Sequence, residues 1–154
     1  MNREIAIAYA DRVTVAELDG LMDAMETAND PIPARKVFHR SLRAPDKEAT
    51  SLANVISVTA RRGGALLGYL RVLTDRAYIY YILDVMVHPD WRGQGIGTAL
   101  LSEALQQCRR NGFIKIFLTA IPGKESFYAK FGFKPGMSPV LTLRGEDERE
   151  SPPT

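Results

Sequence analysis

The chain has 154 residues, 45% of them hydrophobic, and a formal charge of +2 from 20 Lys and Arg against 18 Asp and Glu. That length suits one domain with one core, and so even a charge balance gives no electrostatic case for bulk nucleic-acid binding. No apolar run approaches the roughly 18 to 20 residues that cross a bilayer, Met1 to Tyr9 lacks the apolar core of a signal peptide, and the single cysteine, Cys108, cannot form an internal disulfide; a cytoplasmic location without membrane partners is the expectation.

Glu4 to Tyr9 alternates, with Ile5, Ile7 and Tyr9 on one parity, and reads as a half-buried strand. Thr14 followed by Glu17 forms a capping box, and Val15, Leu18, Met22 and Met25 share one helical face, which predicts a helix to about Thr27. Asn29-Asp30-Pro31 and Pro33 then break the chain, and Val37, Phe38 and Leu42 suggest a second helix ending before Pro45. Leu52 to Thr59 and Ala65 to Leu73 read as a hairpin turning through Arg61-Arg62-Gly63-Gly64.

Tyr78 to Val87 is a dense apolar run broken only by Asp84, as expected for a central strand buried on both faces. Glycines at 93, 95 and 97 precede a helix whose Leu100, Leu101, Ala104, Leu105 and Cys108 form one stripe, closed by Arg109, Arg110 and Gly112. Phe113 to Thr119 is a further strand, Lys124 to Phe131 a short helix and Val140 to Leu143 a final strand; beyond Gly145 the acidic tail suits disorder. Strands alternating with helices after a hairpin indicate a mixed α/β sheet.

The segment from His88 to Thr98 carries the most chemistry. A buried strand ends there, turns through glycines and enters a long helix whose first N–H groups lack internal partners and sit at the positive end of its dipole. With side chains removed by glycine, those groups form an anion site. Gly93-x-Gly95-x-Gly97 lacks the third-glycine spacing of a dinucleotide fingerprint and the lysine of a P-loop. One cysteine and two distant histidines offer no metal cluster.

Leu83 through Gly97 resembles the acetyl-CoA motif of the GNAT superfamily, in which Arg or Gln, two variable residues, Gly, one variable residue and Gly or Ala hold the pyrophosphate; Arg92, Gly95 and Gly97 match it. Phe127-Tyr128-Ala129-Lys130-Phe131-Gly132-Phe133 is similar to the family's C-terminal aromatic motif. The resemblance implies a GNAT fold in a single domain over residues 1–145, with a central strand splayed from its neighbour. It implies acetyl-CoA as acetyl donor, held by the backbone of Val85, Met86 and Val87 and by Arg92, Gly93, Gln94, Gly95, Ile96, Gly97 and Thr98.

It further implies acetyl transfer to a primary amine by direct attack on the thioester, with Tyr128 protonating the departing thiolate and an N–H near Val87 stabilising the oxyanion. Asp84, a carboxylate in an apolar strand just before the thioester segment, is the candidate base, or bonds only to backbone or an arginine. His88 before Pro89 reads as a turn residue. Ile121 stands where the family often has an asparagine for the pantetheine arm, with Lys124 or Ser126 as substitutes.

The acceptor is a small-molecule amine or a peptide amine, selected by the segment Met22 to Arg43, where Arg35, Lys36, Arg40 and Arg43 either face solvent or meet an acidic acceptor. A non-catalytic acyl-CoA-binding regulatory module is the competing reading. Exposed sheet edges leave a homodimer open to the chain.

Overall fold

The structure is a computed structural model that describes residues 4–35, 54–136 and 140–142. Those up to Thr119 form one compact unit and those from Ala120 a second. In the first, β1 (Ala6–Tyr9), β2 (Val55–Arg62), β3 (Ala65–Thr74), β4 (Ile79–Val87) and β5 (Lys115–Leu118) form an open sheet in the order β1-β2-β3-β4-β5. The first four are antiparallel to one another in turn, and β5 joins β4 in parallel. Among the described residues two helices flank this mixed sheet, α1 (Val15–Thr27) and α2 (Ile96–Asn111).

Each helix forms where its local signals are complete. Thr14 and Glu17 make both halves of the capping box, the Thr14 hydroxyl accepting from Glu17 N–H at 3.2 Å and the Glu17 carboxylate from Thr14 N–H at 3.0 Å. The buried face of α1 is Leu18, Leu21, Met22 and Met25, so it is wider than the expected stripe by Leu21, while Val15 packs partly buried at its edge. On the other face of the sheet, α2 buries Ile96, Leu100, Leu101, Ala104, Leu105 and Cys108 and ends at Gly112 with φ 75°.

Gly68 lets α2 approach β3. A Cβ there would lie 2.8 Å from Ile96 Cγ2 and 3.0 Å from Leu100 Cδ1, both in fully packed side chains. The α2 face of β3 therefore starts at Gly68 and continues with Leu70, Val72 and Thr74. Tyr69 lies on the opposite face, in the core cluster with Val13, Leu18, Met22 and Met25.

The hairpin turns on Gly63 and Gly64 alone, at φ 55° and 88°, because Arg61 and Arg62 are the last residues of β2 rather than part of the turn. Arg61 has a reason to stay in the strand. Its guanidinium donates to Asp11 at 2.9 Å, to Glu17 at 2.7 Å and to the Arg12 carbonyl at 2.9 Å, and so joins β2 to the start of α1.

Tyr78 to Val87 differs from its expected place and burial. β3 is the middle strand and β4 lies second from the edge, so only Tyr80, Ile82 and Met86 of β4 are buried and the rest are half-covered. The expected second helix and His39 lie outside the described residues, as do Lys36, Arg40, Arg43 and the tail beyond Gly145. Val140 to Thr142 belong to no strand, with Val140 and Leu141 exposed; Leu143 lies outside the described residues.

Gly68→Ala is expected to lower stability by about 1–3 kcal/mol, since Ile96 and Leu100 have no free volume to yield; the urea midpoint should fall with an unchanged slope. Burial pushes Asp11 up, but hydrogen bonds from Thr59 and Arg61 outweigh it, and Arg61 likewise holds Glu17 below its usual range. Both carboxyls therefore contribute stability above their ordinary values of 3.8 and 4.5, and this is lost as pH falls through the lowered values. Arg61→Gln should cost about 1–2 kcal/mol at neutral pH and less below pH 3.8, which thermal melts across pH 2.5 to 7 would show.

Candidate active site

The site begins with an irregularity in β4. Gly68 and Tyr69 pair with Val87 and Met86, whereas Arg71 pairs with Leu83, so two residues of β4, Asp84 and Val85, stand opposite Leu70. This is a β-bulge, and Asp84 holds it with φ 53°, the left-handed region that Asp tolerates better than most side chains.

Two consequences follow. Tyr80 and Ile82 lie beside Thr74 and Val72 on the α2 face, yet Met86 lies beside Tyr69 in the α1 core, because the extra residue inverts the alternation. Pairing to β5 also stops early. The parallel ladder runs from Ile79/Lys115 to Ile82/Leu118, pinned by the stacked rings of Tyr81 and Phe117 at 4.5 Å and by the Tyr81 hydroxyl 3.1 Å from that of Thr119. From Leu83 to Val87 no described strand pairs with β4 on that side, because β5 ends at Leu118.

Asp84 is not alone in its apolar strand. Arg71 of β3 pairs with it at 2.6 Å, the two side chains being 15% and 16% exposed. Burial pushes the Asp84 carboxyl above its usual range, and the charge and hydrogen bond of Arg71 offset only part of that. Next to the pair, the fully buried Tyr69 hydroxyl lies 3.0 Å from that of Ser57, and its phenol is likewise pushed up by burial.

After β4 the chain makes a short 3-10 turn, Pro89–Trp91, that His88 caps by accepting the Asp90 N–H on Nδ1 at 3.2 Å, the turn role its place before proline suggested. Gly93 and Gly95 follow with φ 74° and 80°, and a Cβ on either would meet nothing within 4 Å. Gly95 is the N-cap of α2. No side chain caps that helix and no acidic residue lies in its first turn, so the N–H groups of Ile96, Gly97 and Thr98 are left for an external acceptor. An open, uncapped helix start of this kind fits a pyrophosphate.

Arg92 is anchored at this point by one nitrogen. Its Nη2 donates to the Val87 carbonyl at 3.2 Å and pairs with Asp30 at 2.5 Å. The residues expected around acetyl-CoA in the first unit are thus consecutive along β4, the loop and α2, with Asp84 immediately before them.

Tyr128 belongs to the second unit, on the short helix α3 (Glu125–Ala129). Phe127 and Phe131 meet at 5.6 Å, as their spacing predicts, and the half-buried Tyr128 ring touches the edges of Phe127 at 5.1 Å and Phe133 at 6.2 Å. Burial alone raises its phenol. Arg35 bonds to Asp19, Asp23 and Glu26 of α1, so its charge is already committed within the chain.

Two residues had no sequence reading as site residues. Arg71 is the only charge in the run Ala65 to Leu73, and that isolation was its one signal; Asp30 looked like a helix breaker. Among the described residues no group of His, Cys, Asp and Glu is gathered as a metal site, and no helix is long and apolar enough to cross a membrane.

Comparison with known proteins agrees with this geometry. The model of the Acetyltransferase (GNAT) family matches residues 18–133. An uncharacterized N-acetyltransferase, ycf52, of Pyropia yezoensis is 27% identical over 133 residues, covering 85% of this chain and 71% of that protein. Glucosamine 6-phosphate N-acetyltransferase of Trypanosoma brucei brucei is 27% identical over 108 residues, or 59% of this chain and 74% of that one. A GNAT-family acetyltransferase of Streptococcus pneumoniae TIGR4 shares the fold, with a TM-score of 0.67 at 19% identity over 92% of this chain and 98% of the other. The chain belongs to the GNAT acetyltransferase family and is an acetyltransferase.

Arg71→Met would leave the Asp84 carboxylate buried without its partner, a loss of about 3–5 kcal/mol where the carboxyl is ionised. The folded-state carboxyl is already raised and would rise further, so the deficit grows as pH climbs through it and shrinks on acidification. Denaturant melts at pH 4 and pH 7.5 should give the smaller loss at pH 4.

Proposed function

We propose that the chain transfers the acetyl group of acetyl-CoA to the primary amine of a small molecule by direct attack on the thioester. The observation that supports this reading is the sequence of bulge, unpaired end of β4 and uncapped start of α2 on one stretch of chain, which suits an acyl-CoA arm and its pyrophosphate.

When bound, acetyl-CoA supplies the activated acyl carbon. The N–H groups of Ile96, Gly97 and Thr98, with Arg92, hold its pyrophosphate, and the backbone of Val85, Met86 and Val87 takes the amide-bearing arm as an added strand would. An N–H near Val87, fixed by the sheet, steadies charge on the carbonyl oxygen. Asp84 takes the proton of the attacking amine: its raised proton affinity suits a base, and Arg71 positions it. Tyr128, matched by its place in the aromatic motif, gives a proton to the thiolate, and a phenol pushed up by burial keeps that proton at neutral pH.

A small acceptor is supported by the Trypanosoma relative, whose name is that of a sugar-phosphate amine enzyme. The internal commitment of Arg35 removes one cation that an acidic acceptor would need.

The test is thiol release from acetyl-CoA across a panel of amines and peptides. Acceptor-dependent release is expected from the wild type, with kcat about 10²-fold lower in Tyr128→Phe at unchanged acetyl-CoA affinity, and no cofactor binding in Gly95→Glu. Tight acetyl-CoA binding without turnover on any acceptor would replace this reading by that of an acyl-CoA-binding regulatory module, and peptides outperforming every small amine would overturn the acceptor class.

A further inference from the structure

The arginine of the phosphate loop already has an anion. Arg92 Nη2 contacts Asp30 Oδ2 at 2.5 Å, while Nε and Nη1 find no partner among the described residues. Asp30 is placed for this by the end of α1: its N–H donates to the Met25 carbonyl at 2.9 Å, and Ile32, two residues on, packs against the α1 core. The segment that follows α1 is therefore fastened to the loop that precedes α2.

That pairing opposes phosphate binding in two ways. A carboxylate on the guanidinium cancels most of the positive charge that Arg92 would add to the helix start, and Nη2 is not free to turn toward a phosphate while it serves Asp30. The Arg92 side of the pair is the open one, its side chain 42% exposed, whereas Asp30 Oδ2 is buried, so the guanidinium is the partner that can turn away.

We propose that Asp30 is an internal competitor for the pyrophosphate of acetyl-CoA, setting cofactor affinity through Arg92 by exchange of the carboxylate for phosphate. The proposal rests on the reading of residues 92–98 as the pyrophosphate site. It gives Asp30 a specificity-determining role: it disfavours weak anions and eases release of the product coenzyme A, which carries the same pyrophosphate.

Trp91, the single tryptophan, adjoins Arg92 and provides the readout. Acetyl-CoA, coenzyme A and acetylpantetheine, which lacks the pyrophosphate, would be titrated into the full chain while its emission is followed. Asp30→Asn keeps the size of the side chain and removes its charge; it should bind acetyl-CoA and coenzyme A about two- to fivefold more tightly, the strength of an exposed ion pair, and acetylpantetheine with wild-type affinity. Asp30→Ala should shift in the same direction. In an Arg92→Gln background the gain should vanish, which a general structural effect of Asp30 would not do.

Unchanged or weaker coenzyme A binding in Asp30→Asn overturns the proposal, as does a gain that persists in Arg92→Gln or extends to acetylpantetheine. If Gly95→Glu binds acetyl-CoA as well as the wild type does, the cofactor site itself is misplaced, and the proposal falls with it for that separate reason.

Discussion

The extra residue in β4 is the constraint on which the site depends. Asp84 at φ 53° places two residues of β4 opposite one of β3, and a non-glycine residue in that region costs on the order of 1–2 kcal/mol. The surrounding structure fixes it there. Arg71 pairs with its side chain, and Met86, turned by the inverted alternation, seats in the α1 core. The same inversion coincides with the end of pairing to β5, so the strand is committed to the core on one side and left with unpaired backbone on the other.

The unpaired backbone at the end of β4, the N–H groups of the uncapped helix and the buried carboxylate lie on one short stretch of chain, and the missing side chain of Gly68 lets α2 pack closely on β3. Their relative placement depends on a few packed contacts within one sheet and its flanking helix, and this suits pre-organised donors, which lose their advantage if they must reorient during reaction.

What the sequence made legible was local. The Thr14–Glu17 box, the α2 stripe with its Gly112 stop, and the glycines before α2 each rest on residues within a turn or two of one another, and all are found in the structure. The bulge was not legible, because Tyr80, Ile82 and Met86 share a parity and read as one uninterrupted alternation although they bury on two different faces. Asp84 drew attention only as a charge in an apolar run. Its αL backbone and its partner on β3 depend on strand register, which the residue pattern does not encode. Asp30 was hidden for a related reason: Asn29-Asp30-Pro31 is fully explained as the end of a helix, and only the folded chain brings it to Arg92.

The two carboxylate–arginine pairs of the site look alike and differ in what burial does to them. Asp84 and Arg71 are both about one-sixth exposed, and separating such a pair would leave a desolvated charge at a cost of about 3–5 kcal/mol, more than a catalytic cycle can conveniently return. Arg71 therefore stays beside Asp84, which suits the positioning role that the proposed mechanism gives it. Arg92 stands nearer to water, 42% exposed, and in the proposed exchange the phosphates of a cofactor replace the Asp30 carboxylate with charge-assisted bonds of the same kind. In the proposed reading, the buried Arg71 is a fixed partner for Asp84, and the Asp30–Arg92 pair, with its more exposed guanidinium, is the one that exchanges.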